Sequence, residues 1–244
     1  MEVRFWGVRG SFAVSSAQTL RTRVVDLQIC AGNTSDQRMT VDLVKAARSR
    51  LPGLALVAVM DSGMGGAPNL KAIDEQEGNV HRVSAVPLRN SKFAEEQLLA
   101  KAGRWGQHPY REGFKVRDIL LDAESSPSGR AERWVATRNE SEARRQRKLL
   151  DKEVERVRAA LAEDNRVDGH GHPTCKLLAN AKRRKLLRLN AREDRYLLDK
   201  ERVRVERRRA GVHVVRSTLV DYPVEITLRA YDAQYGVEAQ FRAL

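Results

Sequence analysis

Two carboxylates are the residues best placed by type and spacing for metal-assisted chemistry. An apolar run over 54–60, LALVAVM, leads directly into Asp61, and "SGMGG" follows. The step has two readings: an ordinary strand-to-loop turn in which three glycines let the backbone turn tightly, or a strand tip where Asp61 grips a metal ion. Near the other end, a period of 3.6 puts Ala230, Ala233, Val237, Phe241 and Leu244 on one stripe. Tyr231, Gln234 and Glu238, three and four apart, line its flank. If that helix lies on the sheet carrying Asp61, Glu238 approaches it, and converging carboxylates hold divalent cations, which favour oxygen ligands. Two such ions about 4 Å apart activate a water or a 3′ hydroxyl and steady in-line phosphoryl transfer. "GMGG" itself lacks the Lys-Ser/Thr ending of a phosphate-binding loop.

The elements that must position these residues follow from hydrophobic periodicity. Strands are expected at 3–11, 24–29, 54–60 and 80–88, with helices at 40–50 and from 69 onward. This alternation is the pattern of an α/β sheet. The middle of the chain has turn-rich passages at 103–113 and 124–129, a strand at 133–137, and a charged helix over 139–163. After the loop 164–174, a second helix is expected over 175–209. Leu149, Leu150, Val154, Val157 and Leu161 stripe the first helix, and Leu177, Leu178, Leu186, Leu187 and Leu189 the second. They are expected to pack as a helical hairpin with basic outer faces. A strand over 212–217 and a helix over 223–244 complete the chain.

Composition narrows the partner. Of 244 residues 32% are charged, and the net charge of +13 with a pI near 10.2 calls for a polyanionic partner or else a solvated basic surface that serves solubility. Phosphate backbones meet that demand through counterion release. "KRRKLLRL" concentrates the charge, so Lys182, Arg183, Arg184, Lys185 and Arg188 are the expected sequence-independent DNA contacts. At 5% aromatic residues the chain lacks a base-stacking surface, and Trp105, Tyr110 and Trp134 read as core or loop anchors. Cys30 and Cys175 form no zinc spacing, and a reduced, cytoplasmic setting fits them. His170 and His172 sit in a Gly/Pro loop as a weak metal pair. No apolar run reaches the roughly 20 residues of a membrane span.

Several motifs in order resemble the DDE transposases of bacterial insertion sequences. They are "AGNTSD" (31–36), "VAVMDSGMGGAPNL" (57–70), "HRVSAVPLR" (81–89), "RWVATRNESEARRQRKLLDKEVERV" (133–157) and "YDAQYGVEAQFRAL" (231–244). The resemblance covers about 30–244. It implies an RNase H-like α/β core with a long, largely helical, basic insertion, and Mg2+- or Mn2+-dependent cutting and joining of double-stranded DNA at element ends. In that family Asp61 matches the second carboxylate of the catalytic triad, Glu238 the third, and Tyr231 the signature tyrosine. Four segments follow: 1–23, 24–102 as the first part of the core, 103–210 as the insertion, and 211–244 as the core's closing strand and helix.

The departures from the pattern shape the expectation. Ser62 and Gln234 stand where the family carries Arg, and the closing Lys would fall past Leu244. Asp26 lies too close to the "AGNTSD" turn to be the first catalytic aspartate. The chain is therefore read as an incomplete, inactive copy, with a non-catalytic DNA-binding remnant as the alternative. "VRFWGVRGSFAVSSAQTLR" (3–21) is similar to the opening of metallo-β-lactamase-fold hydrolases, whose H-x-H-x-D-H motif is absent. Residues 1–23 are read as a gene-fusion scar, and a metal-dependent hydrolase is the third alternative.

Overall fold

The apolar run before Asp61 forms β1 (Leu56–Met60), and all five of its residues are buried. The computed structural model describes residues 36–51, 55–76, 79–100, 104–168, 172–190, 192 and 194–242, without the side chains of 36–38, 90 and 235–242. The expected strands at 3–11 and 24–29, together with Asp26, Cys30 and His170, lie outside the described residues. Helix α1 (Asp36–Arg50) precedes β1, and α2 (Ala67–Asp74) follows it, with a proline in its first turn where no backbone donor is needed. From α2 the chain enters β2 (Val80–Ala85), which pairs with β1 in parallel, Met60 opposite Ser84.

Later segments complete a mixed sheet. They are β3 (Gly106–Gln107), β4 (Phe114–Leu121), β5 (Glu132–Asn139) and β8 (Val212–Ser217), in the order β1-β2-β8-β5-β4-β3. β8 runs antiparallel to β2, with Ser84 opposite Arg216. The terminal helix α7 (Val224–Arg242) packs on β1 and β2. Fold class is thus mixed α/β, as the alternating pattern required. Residues 116–137, expected within the insertion, instead supply β4 and β5 to this sheet.

Side chains alternate across a strand, so the sheet has two distinct faces. Val83, Ala85, Val135 and Val215 join Leu228 and Tyr231 of α7 in the main apolar core. The opposite face of β2 carries Arg82, fully buried. Its guanidinium donates to Asp74 of α2 at 2.8 and 3.0 Å and to Glu132 at 2.6 Å. Glu132 also accepts from Ser126 and from the Trp134 indole, each at 2.9 Å. Burial alone would raise the Glu132 pKa, but the Arg82 charge and the hydrogen bonds from Arg82 and Trp134 hold it below the usual carboxylate value. A buried charge is tolerated only when paired and hydrogen-bonded in this way.

The chain divides into two compact units, the second being Arg111–Lys115 with Arg138–Val212. Within it α3 (Glu140–Glu163) starts where the Asn139 side chain accepts the backbone N–H groups of Ser141 and Glu142, a standard N-cap. The single helix expected over 175–209 does not form. Instead α4 (Lys176–Ala179) and α5 (Ala181–Arg184) are separated by Asn180, whose side chain caps α5. A two-stranded antiparallel ribbon follows, β6 (Leu187–Asn190) with β7 (Arg195–Leu198), and then α6 (Lys200–Arg209). Asp194 takes φ +48° in the connecting turn, which Asp tolerates better than most residues. The core of this unit joins Val154, Val157 and Ala160 to Leu178, Leu186, Leu187, Tyr196 and Val203. Leu149, Leu177 and Leu189, expected in the apolar stripes, are exposed. The ribbon and short helices bury their apolar side chains by a path that a continuous helix does not follow.

Candidate functional site

Asp61 stands exposed at the C-terminal tip of β1. Its Oδ1 accepts the backbone N–H of Gly63 at 2.8 Å and of Met64 at 2.9 Å, and its carbonyl accepts Gly65 N–H at 3.2 Å. The carboxylate therefore closes its own turn, leaving Oδ2 without a hydrogen-bond partner among the described residues. Met64 is buried beneath the turn, and its carbonyl accepts the Asn69 side-chain amide at 3.0 Å. Arg216 of β8 donates to the Gly65 carbonyl at 3.1 Å. The loop is fastened from three sides.

The chain does turn tightly here, Gly65 N–H returning to the Asp61 carbonyl, and at Gly65 a second reason for glycine is visible. None of Gly63, Gly65 and Gly66 takes a positive φ. A Cβ on Gly65 would lie 3.2 Å from the Ser84 Cβ and 3.3 Å from the Asp61 carbonyl oxygen. Close approach to β2, rather than left-handed geometry, favours glycine there.

Helix α7 runs toward the sheet end that holds Asp61. Tyr222, just before the helix, meets His81 at the start of β2, whereas Tyr231 meets His213 at the start of β8. Since β2 is parallel to β1 and β8 antiparallel, His213 marks the Asp61 end. Glu238 lies seven residues beyond Tyr231 in α7, about 10 Å further along the axis. Its side chain lies outside the described residues, as do those of Val237, Phe241 and Leu244, so no contact joins Glu238 to Asp61 in the described set.

In the described part of α7, Ala230 is buried and Ala233 packs against the core, as the expected stripe has them, and the buried arc is wider than the stripe. Thr227, Leu228, Tyr231 and Gln234 are buried as well, which brings Tyr231 and Gln234 from the flank into the packed face. Tyr231 rests on His213, ring centroids 5.0 Å apart, with its hydroxyl 3.3 Å from Nε2. Burial lowers the His213 pKa, opposed by the Asp232 charge. Asp232 in turn accepts the Tyr110 hydroxyl at 2.7 Å. Tyr231 and Tyr110 are packing anchors of this unit.

The five expected DNA contacts separate into two kinds. Arg183 donates to Glu153 of α3 at 2.9 Å, and Lys185 to Glu206 of α6 at 2.8 Å. These two hold the second unit together rather than facing solvent as free charges. Lys182, Arg184 and Arg188 are exposed and enter no ion pair among the described residues. The second unit contains 25 Lys and Arg against 14 Asp and Glu, a net of +11 out of the chain's +13.

No family model, no curated protein and no solved structure matches the chain. Among the described residues no group of three or more His, Cys, Asp or Glu is placed to hold a metal ion. Magnesium is commonly held by one or two carboxylates with waters completing its octahedron; Asp61 offers one free oxygen, and the Glu238 side chain lies outside the described residues. His172 is exposed, apart from any such group. Among the described residues no helix is long and apolar enough to cross a membrane.

Proposed function

We propose that the chain is a duplex-DNA-binding protein of the transposase class, with a partial RNase H-like core and a basic second unit that grips the phosphate backbone. The observation that carries the reading is the segregation of charge: +11 of the net +13 resides in the second unit. Such a field draws a polyanion and, on contact, releases its counterions. Lys182, Arg184 and Arg188 contribute phosphate contacts, which position a duplex without reading its sequence. The core reading rests on the ordered motifs, on the parallel β1–α2–β2 unit whose first strand leads into Asp61, and on a Glu238-bearing helix directed to the same sheet end. Cutting and joining of DNA ends with Mg2+ or Mn2+ through Asp61 and Glu238 is the activity the resemblance implies; the departures at Ser62 and Gln234 from the family pattern are the ground for reading this copy as binding without cleavage.

The test is a labelled-duplex binding assay run beside an end-cleavage assay in 5–10 mM Mg2+ or Mn2+ (about the range that saturates weak divalent sites). Duplex binding without cleavage supports the proposal. Cleavage that disappears in Asp61→Ala would show an active enzyme, and absent binding would remove the DNA reading altogether.

A further inference from the structure

We propose that the outward face of α3, through Arg144, Lys148 and Lys152, is the principal docking surface for the duplex backbone; this deepens the duplex-binding reading and depends on it. These residues recur every fourth position, so they stand in a row with about 6 Å of rise between neighbours. Val154 and Val157 fix the face of α3 that enters the core of the second unit. At 100° per residue, Lys148 falls roughly opposite that face. All three cations are exposed, and none enters an ion pair or hydrogen bond among the described residues.

The acids nearby are already engaged. Glu142 pairs with Arg145, Asp151 with Arg207, Glu153 with Arg156 and Arg183, and Glu155 with Arg158. These pairs cancel much of the mixed charge of the helix; the row keeps its charge, as does Arg147, which donates to the Arg207 carbonyl. The cations expected from sequence differ here, since Arg183 and Lys185 are turned inward as clamps.

Charge complementarity and chemistry select the occupant. One DNA strand offers a phosphate about every 3.4 Å along the axis, so each flexible cation of the row has a phosphate within reach. Single strands call for stacking aromatics, and α3 contains none. A membrane surface would need the apolar face of the helix, which is already buried in this unit.

The experiment compares the full chain with the triple variant Arg144→Gln, Lys148→Gln, Lys152→Gln, by anisotropy of a labelled 30-base-pair duplex across 50–200 mM salt. A charge control, Lys45→Gln, Arg89→Gln, Arg104→Gln, removes three exposed cations from the first unit. Each phosphate contact contributes about 0.9 to the log–log salt slope, so the α3 variant should lose about 2.7 of slope. Over that fourfold salt range, wild-type affinity should therefore fall about 40-fold more than the variant's. Lys148→Arg with Lys152→Arg should keep the wild-type slope, and circular dichroism should show all variants folded. A wild-type chain that binds while the α3 variant keeps its slope would overturn the docking surface yet leave the DNA reading standing. Equal losses in the charge control would show net charge alone at work. Equal binding of single strands, or competition by polyglutamate matching the duplex charge for charge, would likewise reject the proposal. Absence of wild-type binding would instead remove the reading beneath it.

Discussion

Replacing Glu132 by glutamine leaves the shape of the side chain and removes its charge, where the first unit can least absorb the loss. Both partners of the Arg82–Glu132 pair are fully buried, at 0% side-chain exposure, and the bond is 2.6 Å. Arg82 Nη1 already has no hydrogen-bond partner. A glutamine amide must place its NH2 against Arg82 or against the Ser126 hydroxyl and Trp134 indole, so at least one former acceptor site confronts a donor. Removing one member of a buried pair costs about 3–5 kcal/mol, against a typical total stability of roughly 5–15 kcal/mol. Urea unfolding followed by tryptophan fluorescence reads the loss directly, because Trp134 belongs to the network. The pKa of Glu132 is lowered in the folded chain from its ordinary 4.5. Its stabilisation is complete above that value and is lost as pH falls through the lowered one. The gap between wild type and Glu132→Gln should therefore narrow below pH 4.5. A loss under about 1 kcal/mol at neutral pH, or a gap that widens in acid, would refute the view that Glu132 balances Arg82.

Gly211→Ala should be severe: φ is +69° and a Cβ would stand 2.5 Å from the Asn139 carbonyl oxygen. Left-handed geometry and overpacking together cost about 2–4 kcal/mol, measurable by thermal melting of the second unit. Asn139→Ala removes the cap of α3 and should cost about 1 kcal/mol, with the same readout. Asp61→Ala removes the two backbone bonds that close its turn and should lower stability by about 1 kcal/mol while leaving duplex affinity unchanged; a tenfold loss of affinity would put Asp61 in the DNA contact.

The elements with strong periodicity were legible in sequence. The strand over 212–217 and the helix over 139–163 coincide closely with β8 and α3, because apolar spacing and the Asn139 cap agree locally. The 175–209 stretch misled because Lys, Arg and Glu favour helix by propensity, and tertiary burial overrides that preference. Its signals were present: Asn180 as an interior cap, alternation over Leu187, Arg188 and Leu189, and Asp194 in the turn. Asp61 was legible as a strand-tip carboxylate, but its role in closing the turn was not, since spacing carries no record of which backbone N–H it accepts. The division of the basic residues into clamps and free cations depends on partners such as Glu153 and Glu206, thirty and twenty-one positions away, and only folding reveals it. The Arg82–Glu132 network was missed for the same reason, its partners being fifty positions apart.

The most direct measurement is the affinity of the full chain for a random-sequence duplex as salt rises from 50 to 200 mM. Six or more phosphate contacts predict a loss of about a thousandfold or more, with little change when the duplex sequence is altered. Affinity that is absent, or flat across that range, would contradict the assignment of the basic unit to the DNA backbone.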